Sequence, residues 1–316
     1  MTISRAVRGT LLTGVTAALI AVLPAAGITP ALAAPNISIL HQAPIGADFK
    51  LAGAPNARDI GGVTAQNGTI KSGLVYRTDA LNNLTDADQQ TLTAAGVTEV
   101  IDFRSPTERA ASPDKVPASI KTVQLPIYDP SNDFYVFFGK LVQAGPAAQQ
   151  AALGDGKGAQ YMRDYYSWAV NDPTSQGQFG AALKEIANSS GAVLYHCTAG
   201  KDRTGMMTAF LMTILGTPQS QINANYLASN DRLAASNKAT LDALVARGLV
   251  TDPSLFGPVL GVQQDYLDAA FAAATAASGS VSNYITQKLG IDAGTYKALQ
   301  DKLIKTGGIS TGSFGS

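Results

Sequence analysis

Cysteine is almost missing from this chain, with one thiol, Cys197, in 316 residues. A single thiol excludes an internal disulfide, so the fold must be held by packing. Histidine is nearly as scarce, with only His41 and His196. No His/Cys/carboxylate group in the sequence has metal-ligand spacing, so neither a metal nor another cofactor is expected. Charge of one sign is not in excess, because 23 Lys+Arg balance 23 Asp+Glu. That balance argues against bulk binding of nucleic acid. Long apolar runs are also lacking, apart from Leu11 to Leu23, which follows Arg5 and Arg8 and leads to Ala31-Leu32-Ala33. A basic start, a short apolar core and an Ala-x-Ala end describe a secretory signal peptide. The run is too short for a membrane span, which needs about 20 apolar residues. The two arginines are not adjacent, which argues against a twin-arginine signal. Cleavage is expected after Ala33, leaving a secreted chain of roughly 283 residues. A solitary thiol survives poorly in an oxidising compartment, so its presence there points to use.

That thiol lies in Val193-Leu194-Tyr195-His196-Cys197-Thr198-Ala199-Gly200-Lys201-Asp202-Arg203-Thr204-Gly205. The stretch reads as a buried strand, a tight loop and the first turn of a helix. Arg203 follows Cys197 after five residues. Backbone N–H groups of such a loop can curl around one point, and the positive end of the helix favours an anion there. Arg203 would close the ring with a planar fork that matches two phosphate oxygens. The same field favours a thiolate at the base of the ring, with a pKa below the free value of about 8.5. A phosphate monoester held there would face a sulfur nucleophile. A lone Cys is more often a small core residue; the flanking His, the Arg and the strand–loop–helix context favour the nucleophile.

His196 to Gly205 resembles the signature of the cysteine-dependent phosphatases of the tyrosine-phosphatase type. The Gly200-Lys201-Asp202-Arg203-Thr204-Gly205 form is similar to a bacterial branch that acts on phosphotyrosine, sometimes phosphoserine or phosphothreonine, and phosphoinositides. Lys201 also resembles the lysine of eukaryotic 3-phosphoinositide phosphatases. Asn56-Ala57-Arg58-Asp59-Ile60-Gly61-Gly62 with Tyr76-Arg77, and Asp102-Phe103-Arg104-Ser105-Pro106-Thr107-Glu108, are similar to further segments of the bacterial branch.

The resemblance implies Cys197 as nucleophile and Arg203 as clamp for the equatorial oxygens. It implies Thr204 beside the departing thiolate, His196 supporting the loop, and Thr198, Ala199, Gly200 and Lys201 around the phosphate. Asp202 is the branch's usual general acid; Asp129 or Asp133 on a separate loop, and Asp102, are the alternatives. Asp102 could instead orient Lys201, or pair with Arg104 or Arg109. The implied partners are a phosphorylated protein or a phosphoinositide, with transient membrane-lipid contact. A non-catalytic phospho-ligand binder on the same fold is the competing class. Oligomeric state does not follow.

The expected fold is a single α/β domain over residues 34–306. It has a central, largely parallel sheet flanked by helices, with the catalytic loop at a strand's C-terminal end. Thr85 reads as an N-cap and Gly96 as a stop, bounding a helix before a buried strand over Val97 to Phe103. Helical insertions near 130–175 and 220–275 are expected to cover the site, with the aromatics Phe134 to Phe138 either exposed to substrate or packed. The helix from Thr204 to Leu215 is apolar on nearly all sides and belongs in the middle of the domain. Residues 307–316 read as a Gly/Ser-rich frayed end. Gly308-Ile309-Ser310-Thr311-Gly312 matches a nucleophile elbow but lacks the strand, helix and later His that a triad needs. Gly200-Lys201 lacks the residues of a nucleotide loop.

Overall fold

The computed structural model describes residues 46, 47 and 49–306. The expected signal peptide, His41 and the tail at 307–316 lie outside the described residues.

The strands are β1 (Arg58–Asp59), β2 (Thr64–Ala65), β3 (Gly68–Ile70), β4 (Val75–Thr78), β5 (Val97–Asp102), β6 (Lys121–Gln124), β7 (Ala192–His196) and β8 (Ile304–Thr306). The central sheet has the order β1-β4-β7-β5-β6. Strands β4, β7, β5 and β6 run parallel, and only the edge strand β1 pairs antiparallel. Every residue of β7 is buried, as expected of a parallel strand covered on both faces. The pleat splits it between two cores. Val193 and Tyr195 join the larger one, and Leu194 joins a smaller one with Phe49, Tyr76, Leu92 and Val100. A separate small sheet of order β2-β3-β8, which the sequence reading did not foresee, ties the C-terminal end to the early hairpin.

The helices are α1 (Asp86–Ala94), α2 (Pro106–Ala111), α3 (Phe134–Gln143), α4 (Pro146–Leu153), α5 (Lys157–Asn171), α6 (Pro173–Asn188), α7 (Arg203–Ile214), α8 (Gln219–Leu227), α9 (Ser229–Ala246), α10 (Gly257–Leu260), α11 (Gln264–Ser278), α12 (Val281–Gln287) and α13 (Ala293–Leu303). Thr85 caps α1 in a capping box with Asp88. Gly96, with φ +69°, turns the chain into β5. Helix α7 carries Met206, Met207, Phe210, Leu211 and Ile214 around its whole circumference and is buried along nearly all its length. It is the axle of the larger core. Its N-terminus abuts the C-terminal end of β7, the loop between them being Cys197 to Asp202.

Helices α3 and α4 lie within the helical insertion expected near 130–175. Phe134 stacks on Tyr165 at 5.3 Å and Phe137 on Tyr161 at 5.0 Å, between ring centroids. Phe134 and Phe137 are therefore packed against α5, Phe138 packs on Phe256, and the aromatics of this insertion are half-buried; among the described residues Val245 is the exposed large hydrophobic side chain.

Candidate active site

Gly200 gives the loop its turn. Its φ is +64°, and a Cβ there would lie 2.2 Å from the Thr78 carbonyl oxygen. The loop carbonyls are drawn outward into the protein. Thr198 O accepts from Ala80 N at 3.0 Å. Ala199 O and Gly200 O both accept from Asn56 Nδ2, at 2.9 and 3.0 Å, and Gly200 O also accepts from Arg77 Nη2 at 2.7 Å. The N–H groups of Thr198 to Asp202, on the opposite side of these peptides, donate to no protein acceptor among the described residues. A ring of free amides at a helix N-terminus is an oxyanion site.

Cys197 is the one cysteine and is buried, 1% exposed. Arg203, 7% exposed, is gripped by Glu108: Nη1 donates to Oε2 and Nη2 to Oε1, both at 2.7 Å, and Nη1 also reaches Phe103 O at 3.1 Å. Glu108 also accepts from the Thr198 hydroxyl and, through a capping box, from Ser105 N. Burial pushes the Glu108 pKa up. The Arg203 charge and the hydrogen bonds from Arg203, Thr198 and Ser105 outweigh it and hold the pKa at about 2. One carboxylate thus fixes both the clamp and one wall of the loop. Glu108 stood in the segment Asp102 to Glu108, but nothing local announces a partner 95 residues away.

Asp102 does not orient Lys201. It takes the Arg104 side chain, with Nη2 to Oδ2 at 2.9 Å and Nε to Oδ1 at 3.0 Å, and it accepts from Arg104 N. The partner two residues along the chain wins over one across the fold. Arg104 also binds Asp114, and this group packs behind His196, whose Nε2 lies 3.3 Å from Asp114 Oδ2 and 3.9 Å from Asp102 Oδ1. Burial alone would lower the His196 pKa; the two carboxylates raise it to about 9, so the ring is charged at neutral pH. Its Nδ1 then donates to Cys197 O at 3.1 Å. Asp102, Asp114 and His196 do converge within 4.8 Å, a spacing that could suit a metal ion. The Arg104 guanidinium takes both carboxylates, which leaves a poor cation site.

Lys201 pairs instead with its neighbour Asp202 at 2.9 Å. Asp202 Oδ1 also accepts from Tyr166 OH at 2.8 Å, and Tyr166 meets Tyr226 OH at 2.7 Å. The Thr204 hydroxyl is buried in the first turn of α7 and has no protein partner. Above the loop, Arg203 and Glu108 open onto a narrow cleft lined by Ile127, Tyr128, Asp129, Asp133, Phe134, Tyr135 and Tyr165. Asp129 accepts from Ser131 N and Oγ, which hold its pKa below the usual carboxylate range. Asp133 Oδ1 caps α3 at Tyr135 N, while its Oδ2 is buried without a partner.

The chain is 32% identical over 262 residues to a Cupriavidus necator protein provisionally named a tyrosine-protein phosphatase, covering 81% of this chain and 91% of the relative. It is 30% identical over 278 residues to the triple specificity protein phosphatase PtpB of Mycobacterium tuberculosis, covering 81% of this chain and 98% of the relative. Among solved structures, P. aeruginosa TpbA covers 65% of this chain and is itself covered to 91%, at 17% identity and a TM-score of 0.25, too slight an overlap to inform the fold. The tyrosine phosphatase family model matches residues 49–305, which include the loop, its clamp and the cleft. The chain belongs to the tyrosine phosphatase family and is a phosphoric monoester hydrolase.

Proposed function

We propose that this phosphatase is exported and acts through a phosphocysteine intermediate on phosphotyrosine, with phosphoinositides as a second substrate class. One observation carries the reading: the loop that begins at the sole thiol has free amides, and the Glu108-held guanidinium of Arg203 lies close enough to Cys197 to feel its charge.

Cys197 sulfur attacks phosphorus, an S–P bond forms, and the bond to the leaving oxygen breaks. The loop amides and Arg203 stabilise the equatorial oxygens. A carboxylic acid gives its proton to the leaving oxygen. Water then attacks phosphorus, loses its proton to the same carboxylate and expels the thiolate. The free Thr204 hydroxyl is suited to donate to that thiolate. Charged His196 supports the thiolate through the loop and is not the base. Asp102, tied to Arg104, is less suited to act as the acid. Asp202, braced by Lys201 and Tyr166, and Asp129 and Asp133 in the cleft with Arg203, remain. Leaving-group dependence separates them: the variant of the true acid loses far more rate on phenyl phosphate than on a nitrophenyl ester.

Lys201, once released from Asp202, would add positive charge suited to a polyphosphorylated headgroup, and the ring-lined cleft suits an aryl ester. Phosphate release from phosphotyrosine peptide, phosphoserine peptide and phosphoinositide vesicles, with and without vanadate, tests the substrate reading. Release from none of them would leave the non-catalytic binder. Wild-type turnover by the Cys197→Ser protein would refute the covalent route. Export predicts a mature chain beginning at Ala34 in the culture medium.

A further inference from the structure

Two buried cations lie behind the loop with no role in the steps above. Arg58 and Arg77 are 0% exposed and face each other across β1 and β4 at a paired register. Arg77 Nη2 donates to Gly200 O, and its Nη1 donates to Asn225 Oδ1 at 2.9 Å. Arg58 Nη1 donates to Asn56 O and Oδ1, and its Nη2 donates to Asn225 O and Ser229 Oγ. The partners are carbonyl, amide and hydroxyl oxygens; among the described residues neither guanidinium pairs with a carboxylate. Both leave Nε unpartnered.

A buried charge without a counter-charge is costly. Here two like charges sit together, and the positive N-terminal end of α7 adds to them. Arg77 Nη2 lies 3.8 Å from the point a Cβ on Gly205 would occupy, in the first turn of that helix. Burial lowers both pKa values, and for Arg58 the nearby Arg77 charge lowers it further. The other titratable groups facing Arg58 are Arg232, Tyr195 and Asp79; those facing Arg77 are Tyr195, Cys197, Tyr166 and Tyr226. Asp79 is the one carboxylate among them, and burial raises its pKa to about 7, so it offsets the two cations only in part and leaves the rest to the loop and its ligand.

We propose that Asn56, Arg58 and Arg77 form a buried cationic seat beneath the loop, whose positive charge is balanced by a dianionic phosphate group bound on the loop's other face. Arg77 and Asn56 are positioning residues. They hold the Ala199 and Gly200 carbonyls away from the substrate, so that the amides face it. Arg58 fixes Asn56 and supplies the second charge. The inference rests on the phosphatase reading for the identity of the ligand.

The test is tungstate binding by calorimetry to the full chain, with kcat and KM for a nitrophenyl ester. Arg77→Met is expected to weaken tungstate binding at least 30-fold, about 2 kcal/mol, and Arg77→Lys to recover at least half of that loss on a logarithmic scale. A residue with a merely structural role would lower thermal stability without moving the affinity of the folded fraction. Binding by folded Arg77→Met within threefold of wild type, or Arg77→Lys no tighter than Arg77→Met, would overturn the proposal. If Arg77→Met does not fold, Arg58→Met asks the same question one layer further from the loop. There a loss of at least fivefold supports the seat, and a smaller loss overturns it. Wild-type protein that binds no tungstate would overturn the phosphatase reading itself, and the seat with it.

Discussion

Alanine at position 200 would place its Cβ 2.2 Å from the Thr78 oxygen, at a φ of +64° that side chains avoid. Gly200→Ala is therefore expected to lower kcat/KM by on the order of 100-fold, the loss of one oriented oxyanion donor or more. Steady-state kinetics on a nitrophenyl ester reads this directly. Glu108 makes a pH prediction. Its folded pKa of about 2 lies below its ordinary value, so its stabilisation is full above roughly 4.3 and disappears as pH falls through 2. Glu108→Gln also strands buried Arg203, and should cost about 3 kcal/mol at pH 7 in urea unfolding. The gap from wild type should close toward pH 2. His196 has the opposite sign. Raised to about 9, its contribution is full below about 6.5 and fades as pH climbs through 9. Wild type should lose stability over that window, and His196→Asn should not. Cys197, Arg203 and the loop were legible at this level because their spacing is local. Glu108, Asn56 and Asn225 act across 95 to 148 positions, and no pattern in the chain announces their partners.

Helices α3 and α5 close over the loop through stacked rings, and the cleft between them and Arg203 holds space for about one water molecule. Substrate that enters by this cleft must displace the cover. Phe134→Ala combined with Tyr165→Ala removes the 5.3 Å stack and should speed inactivation by iodoacetamide at least tenfold. An unchanged rate would mean that the thiol is reached by another route. The capped helix α1 and the all-apolar helix α7 were readable from Thr85, Gly96 and the run Met206 to Ile214. The insertion near 130–175 was expected to be helical, but its division into α3 and α4 was not readable, because the Ala and Gln residues of α4 carry no clear period and the aromatics of α3 are ordered by rings on α5. Strand β8 escaped for a different reason: Ile304-Lys305-Thr306 is too short to show alternation, and its partner β3 lies more than 230 positions earlier.

Parallel pairing of β4, β7, β5 and β6 follows from strands separated by helices; a largely parallel sheet was expected from the sequence, but not its strand order. The antiparallel edge β1 and the small sheet did not show, since both depend on pairings between very short segments. The small sheet is a stability device remote from the loop. A chain ended at Leu303 loses the β3–β8 ladder and is expected to be less stable by about 1–3 kcal/mol, with kcat unchanged at a temperature where it remains folded. Thermal melting and kinetics on the same preparation check both halves.

The loop's carbonyls are gripped by Asn56 and Arg77 from upstream, and Arg77 by Asn225 from downstream. No contiguous fragment holding Cys197 and Arg203 contains its own grip unless it runs from before Asn56 to beyond Asn225. A proteolytic nick that releases everything after Arg203 should therefore silence the nucleophile although both signature residues stay on one piece.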